Sequence, residues 1–149
     1  DIVAHLDSPV HALVGHSAGG LGMMRSRVLH GVTADRYAII SSPLFPYPPL
    51  ENMRKKGAPE QAVEYMKPLI AAQFRTNWSG LAHGNCYELE PGKPLLAIYD
   101  KSDDLVRHTD SNSLLNIWPD ASIVKTDGYG HNRILKAEET LAAISDFLA

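Results

Sequence analysis

Short apolar runs alternate with helix-period stripes along almost the whole chain. His11-Ala12-Leu13-Val14-Gly15 rises to a glycine as the first run. Leu21, Met24 and Val28 then recur at spacings of three and four, and Gly31 stands where a helix would end. Tyr37-Ala38-Ile39-Ile40 is the second run, closed by Ser41-Ser42-Pro43, and Leu95-Leu96-Ala97-Ile98-Tyr99, introduced by Pro94, is the third. Leu114, Ile117 and Trp118 mark a weaker helical stripe ahead of Pro119, and Ala121-Ser122-Ile123-Val124-Lys125 is the fourth run. The chain closes on Ile134, Ala137, Leu141, Ile144 and Leu148, whose 3-4-3-4 spacing predicts a single amphipathic helix. Runs that are apolar throughout and separated by helices are the pattern of strands buried on both faces. The prediction is an α/β fold, with a mostly parallel sheet of about four strands and flanking helices.

The stretch from Pro43 to Gly92 breaks this rhythm. It opens with Pro43, Pro46, Pro48 and Pro49, and a helix is expected after Pro59, with Val63, Met66, Ile70 and Phe74 on one face and a kink at Pro68. A connection of this length with its own helix fits a small helical cap inserted over a site. The prolines offer P-x-x-P, but they follow a buried strand, so they read as the entry to that cap.

Composition narrows the field. A chain of 149 residues, 44% hydrophobic and 21% charged, is sized and mixed as one globular domain, 1–149, with the insertion at 43–92. A net charge of −3 argues against a nucleic-acid or membrane-surface binder, and Arg54-Lys55-Lys56 reads as a solvated face. Cys86 stands alone, which excludes an intrachain disulfide, and with His83 it makes at most a pair of ligands, so no metal and no cofactor is expected. No run approaches the roughly 18 apolar residues of a membrane-spanning helix. The lone cysteine and a start unlike a signal peptide point to a cytoplasmic protein.

The chemistry concentrates in three places. Gly15-His16-Ser17-Ala18-Gly19 fits G-x-S-x-G, a match that chance would supply in roughly one chain of this length in twenty. A strand leads in and a helix leads out. On such a turn a serine is forced into a strained conformation, and its hydroxyl is presented at the positive end of a helix. The Ala18 N–H would then face an oxyanion formed on attack. The alternative, a turn that binds phosphate through its amides, lacks the lysine of a P-loop.

A serine nucleophile needs a base, and the base needs an orienting carboxylate. Of the seven histidines, His131 stands out, because Asp127-Gly128-Tyr129-Gly130-His131 follows the last strand in a glycine-rich loop. A cap on the final helix is the competing role for it. His16, inside the turn, reads as a local packing or hydrogen-bonding residue. The third strand runs into Asp100, Asp103 and Asp104, at the sheet edge where open α/β proteins build their sites. Spacing leaves Asp103 and Asp104 both open as the acid, and a polar loop with a solvated acidic pair is the competing account of the cluster.

Val14-Gly15-His16-Ser17-Ala18-Gly19-Gly20, the approach of Pro94-Leu95-Leu96-Ala97-Ile98 to Asp103 with Val106 three residues on, and Gly130-His131-Asn132-Arg133-Ile134-Leu135 together resemble the carboxyl-terminal half of the α/β-hydrolase superfamily, of the serine esterase and thioesterase kind. The resemblance implies that the four strands correspond to the family's strands 5–8 and that 43–92 lies where the family inserts its cap. It implies Ser17 as nucleophile, His131 as base and Asp103 as acid, preferred over Asp104 because valine follows three residues later. The implied activity is hydrolysis of small-molecule carboxylic esters or thioesters through an acyl-enzyme, with acyl transfer by the same residues as a variant.

The resemblance also implies that strands 1–4 are missing, and with them the loop that gives the second oxyanion N–H, a loss of roughly 10²–10³ in rate. The first strand would keep an open apolar edge, which predicts association, most simply as a two-fold homodimer. The competing expectation is a truncated, non-catalytic half-fold that assembles with an identical or complementary chain.

Overall fold

A computed structural model describes residues 5, 6, 8–88 and 93–149. Among them run the strands β1 (Ala12–His16), β2 (Arg36–Ile40), β3 (Leu95–Asp100) and β4 (Ser122–Thr126). The helices are α1 (Ala18–His30), α2 (Pro48–Lys55), α3 (Glu60–Gln73), α4 (Trp78–Ala82), α5 (Asp110–Ile117), α6 (Gly130–Arg133) and α7 (Glu138–Leu148). Asp1–Leu6, which by the resemblance reads as the tail of a preceding helix, falls largely outside the described residues, as does the end of the insertion at 89–92.

The strands form one parallel sheet in the order β1-β2-β3-β4, with His16 beside Ile40, Ile40 beside Ile98, and Asp100 beside Thr126. Period-2 alternation sorts the side chains onto two layers. Tyr37, Ile39, Leu95, Ala97 and Tyr99 join Leu21 and Met24 of α1, Leu114 of α5 and Trp118 on one face. Ala38, Ile40, Leu96 and Ile98 meet Ala143, Ile144 and Phe147 of α7 on the other. β3 is buried at every position, and each such aliphatic side chain removed from water contributes about 1.5–3 kcal/mol. Because every strand runs the same way, the four loops after β1, β2, β3 and β4 emerge along one edge.

Two details depart from the periodicity. The closing stripe is not one helix. Ile134 lies buried in a separate 3₁₀ turn (Ile134–Lys136), and the extended backbone of Ala137 (φ −69°, ψ 133°) resets the phase before α7 begins. Thr140, Ala143, Ile144 and Phe147 therefore face the sheet, while Leu141 is 54% exposed. In α1, Val28 is only half-buried, and the arginines Arg25 and Arg27 are buried instead. Arg25 Nε donates to the Phe74 carbonyl at 2.9 Å, tying α1 to the end of α3, and Arg27 stacks 5.1 Å from the Trp118 ring centre.

The 43–88 stretch supplies α2, α3, α4 and a 3₁₀ turn at Asn85–Tyr87. Pro68 sits inside α3 on its exposed side, and Arg54-Lys55-Lys56 is solvent-exposed. At the sheet edge, β1 has a strand partner on one side only among the described residues, and Val14 is 48% exposed. No helix of the described residues is long and apolar enough to cross a membrane.

Candidate active site

The turn after β1 is built by backbone hydrogen bonds. The Ser17 N–H donates to the Ile40 carbonyl at 3.0 Å, which extends the parallel ladder by one residue. The Ser17 carbonyl then accepts the N–H groups of Gly20 and Leu21 and starts α1. Between these two obligations Ser17 is held at φ 53°, ψ −130°, a conformation that costs an L-residue of order 1–3 kcal/mol. The close approach falls on two glycines. A Cβ on Gly15 would lie 2.5 Å from the Gly20 Cα, and one on Gly20 would lie 2.7 Å from the Ser42 hydroxyl. Gly19, the second glycine of the motif, faces open space. Ala18 opens α1, where first-turn N–H groups have no intrahelical acceptor.

Ser17, His131 and Asp103 meet although the sequence sets them far apart. His131 Nε2 lies 2.9 Å from Ser17 Oγ, and His131 Nδ1 lies 2.9 Å from Asp103 Oδ2. The other Asp103 oxygen accepts the N–H groups of Leu105 and Val106, both at 2.9 Å. These bonds fix the carboxylate, and its side chain is 1% exposed against 9% for His131. With Nδ1–H donated to Asp103, the free tautomeric position is Nε2, which can accept the serine proton. Asp104 points elsewhere: it is exposed, and its carbonyl accepts Lys55 Nζ at 3.1 Å.

Two further residues serve this arrangement without having been singled out for it in the sequence, and a third, Ser41, is strained after the neighbouring strand. His16 does not bond locally. Its Nε2–H donates to the His131 carbonyl at 2.9 Å. Asp100, fully buried, accepts hydrogen bonds from the loops on either side of the site. Desolvation presses its pKa upward, but the bonds from Thr126, Gly130, Ser102 and Tyr129 outweigh it and leave the carboxyl below the ordinary carboxylate range. Ser41, directly after β2, is held at φ 43° with its buried hydroxyl unpartnered among the described residues. The pairing of Ser41 with a strained backbone has no signature in the sequence, whereas the acidic run at 100–104 did mark Asp100.

A cavity of about 650 Å³ opens beside Ser17 and Ala18. Leu21, Met66, Ile70, Phe74 and Leu105 line it, with Pro43, Pro46, Pro48 and Pro49 forming one wall. That wall is tied to the acid loop. The Arg107 N–H donates to the Tyr47 hydroxyl at 2.9 Å, which donates to Asp110 Oδ2 at 3.0 Å, and the Leu44 N–H reaches the same oxygen at 3.2 Å. Burial pushes the Asp110 carboxyl up, partly opposed by these donors. A second apolar hollow, of about 410 Å³ between α2 and α3, has no residue of the serine–histidine–aspartate chain in its lining. Among the described residues, no three His, Cys, Asp or Glu side chains gather to hold a metal ion.

No family model matches this sequence, and no curated protein matches it either. Solved structures do. A carboxylesterase of the thaumarchaeon Nitrososphaera gargenis is 17% identical, with a TM-score of 0.58 over 99% of this chain and 67% of that one. The monoacylglycerol lipase of Paleococcus ferrophilus is 18% identical, with a TM-score of 0.64 over 99% of this chain and 70% of its own. The enol-lactonase of Burkholderia xenovorans is 20% identical, with a TM-score of 0.59 over 99% and 68%. The chain has an α/β-hydrolase-like fold. It spans between 51% and 70% of the length of such structures.

Proposed function

We propose that the chain is a serine hydrolase acting on carboxylic esters, thioesters included. The observation that carries this reading is the chain of hydrogen bonds from Asp103 through His131 to Ser17, on a serine held in strained backbone. Ser17 Oγ bonds to the acyl carbon as His131 Nε2 takes the hydroxyl proton, and Asp103 stabilises the imidazolium. The Ala18 N–H faces the oxyanion. Collapse breaks the ester bond, and the leaving alcohol takes the proton from His131. Water then repeats the sequence on the acyl-enzyme, releasing the acid and the free serine. The apolar cavity beside Ser17 favours substrates with a hydrocarbon acyl or alcohol group.

Labelling of the 149-residue chain with a fluorophosphonate, with Ser17→Ala as control, tests the reading. Covalent label at Ser17 that the substitution abolishes is the expected result, and a folded chain that takes no label overturns it. Product analysis with a competing alcohol separates hydrolysis from acyl transfer.

Among the described residues β1 is paired on one side only, with Val14 exposed, and this favours a further reading in which two copies associate through that strand. Light scattering on the eluting chain should give twice the monomer mass, and Val14→Lys should return it to the monomer.

A further inference from the structure

We propose that Asp100 is a positioning residue that sets the distance between the loop carrying Asp103 and the loop carrying His131. This rests on the hydrolase reading for its catalytic consequence, but its geometry stands apart from it. Asp100 Oδ1 accepts the Ser102 N–H and the Gly130 N–H, both at 2.9 Å. Asp100 Oδ2 accepts the Thr126 hydroxyl at 2.7 Å and the Tyr129 N–H at 3.2 Å. Each oxygen therefore serves two donors. Ser102 adjoins Asp103, and Tyr129 and Gly130 lead directly into His131. One side chain thus grips both loops at the positions next to the residues that must meet.

Two further contacts run in the same direction. The Asp103 N–H donates to the Asp100 carbonyl at 3.2 Å. Ser102 Oγ donates to Asp127 Oδ1 at 2.9 Å and accepts the Gly128 N–H at 3.2 Å. The latter clasp is exposed, whereas Asp100 is fully buried, so water cannot take over the Asp100 bonds if they are lost. Only a carboxylate suits the place. Asparagine has nearly the same shape, but its NH2 would face a backbone N–H in either orientation, because Oδ1 accepts two and Oδ2 accepts one. The mismatch would push the loops apart, and a displacement near 1 Å at such a site costs on the order of a hundredfold in rate.

The test compares the wild-type chain with Asp100→Asn by steady-state hydrolysis of p-nitrophenyl butyrate and by proton NMR of the hydrogen-bonded His131 Nδ1–H. Burial protects that proton from exchange with water, and its hydrogen bond to Asp103 should bring it far downfield in the wild type. Asp100→Asn should lower kcat by about tenfold to a hundredfold, leave KM within about twofold, and broaden or abolish the resonance. A merely structural role would lower the folded fraction without altering the resonance of the folded molecules. Unchanged kcat and resonance overturn the inference, as does a change confined to KM, or a wild type with no such resonance.

An inactive wild type whose resonance disappears on substitution supports the positioning role and removes the hydrolase reading, so the two failures are distinct. Should Asp100→Asn not fold, Thr126→Val takes its place, since it removes one donor and keeps the three amide bonds. A broadened resonance with a loss of about twofold to fivefold in kcat supports the inference, and no change in either overturns it.

Discussion

The imidazole of His16 donates to the carbonyl of His131 at 2.9 Å, with the two rings 4.8 Å apart, so the residue before the serine holds the backbone of the histidine that faces it. One hydrogen bond of this kind contributes about 0.5–1.5 kcal/mol to stability, but its place makes geometry the larger effect. His16→Ala is expected to slow fluorophosphonate labelling of Ser17 by about tenfold while unfolding stays cooperative. Equal labelling rates for wild type and variant would mean that the contact plays no part.

The glycines of the turn and of α1 separate into those a close backbone approach requires and those it does not. Gly15→Ala would drive a Cβ to 2.5 Å from the Gly20 Cα, where neither backbone can yield. A destabilisation of about 3 kcal/mol or more is expected in urea melts. Gly22, inside α1, has nothing within 4 Å of an added Cβ, so Gly22→Ala should stabilise by roughly 0.5–1 kcal/mol. If both substitutions behave alike, the close approach in the turn after β1 is not what demands glycine.

Two buried carboxylates bend stability against pH in opposite directions. Asp100 is held below the ordinary carboxylate range by its hydrogen bonds, despite burial. Its contribution is present above the unfolded value near pH 4 and lost as the pH falls through the lower folded value. Asp110 is pushed up by burial, so its favourable contribution is full below about pH 4 and fades as the pH rises through the higher folded value. Urea denaturation across the acid range should therefore show a flatter acid branch for Asp100→Asn. Asp110→Asn should show a flatter decline on the way to neutrality. Parallel curves for wild type and both variants would contradict the assignment.

The cavity beside Ser17 is where acyl length would be read. Ile70→Trp adds bulk to its lining and, on the proposed activity, should lower kcat/KM for p-nitrophenyl octanoate by about tenfold relative to the acetate. An unchanged ratio would move the acyl group to another surface.

Much of this arrangement is legible along the chain because its signals are local. A strand, G-x-S-x-G and a helix are adjacent in sequence, and so are the last strand and the glycine-rich loop that ends on His131. The pairing of Asp103 with His131 follows from the parallel sheet, which gathers the loops after β1, β3 and β4 at one edge. Asp103 and Asp104 differ only in which one turns inward, and that is set by the Leu105 and Val106 amides that hold Asp103.

What periodicity could not convey is a break in phase or a bond across the fold. The closing stripe keeps its 3-4 spacing through Ala137, yet one extended residue rotates everything after it, leaving Leu141 outside and Thr140 inside. Asp100 reads as one acid among three, because its donors come from segments up to 30 residues away. His16 reads as local for the same reason, its acceptor lying 115 residues on.

The wall formed by Pro43, Pro46, Pro48 and Pro49 carries a consequence for whatever enters the cavity. These four prolines of the lining have no N–H to offer, so water against them is poorly anchored and an alkyl guest displaces it at little enthalpic loss. Each pyrrolidine ring also locks its φ, which leaves this side of the cavity with few alternative shapes to surrender on binding. The guest meets an apolar surface that gives up little conformational freedom to receive it.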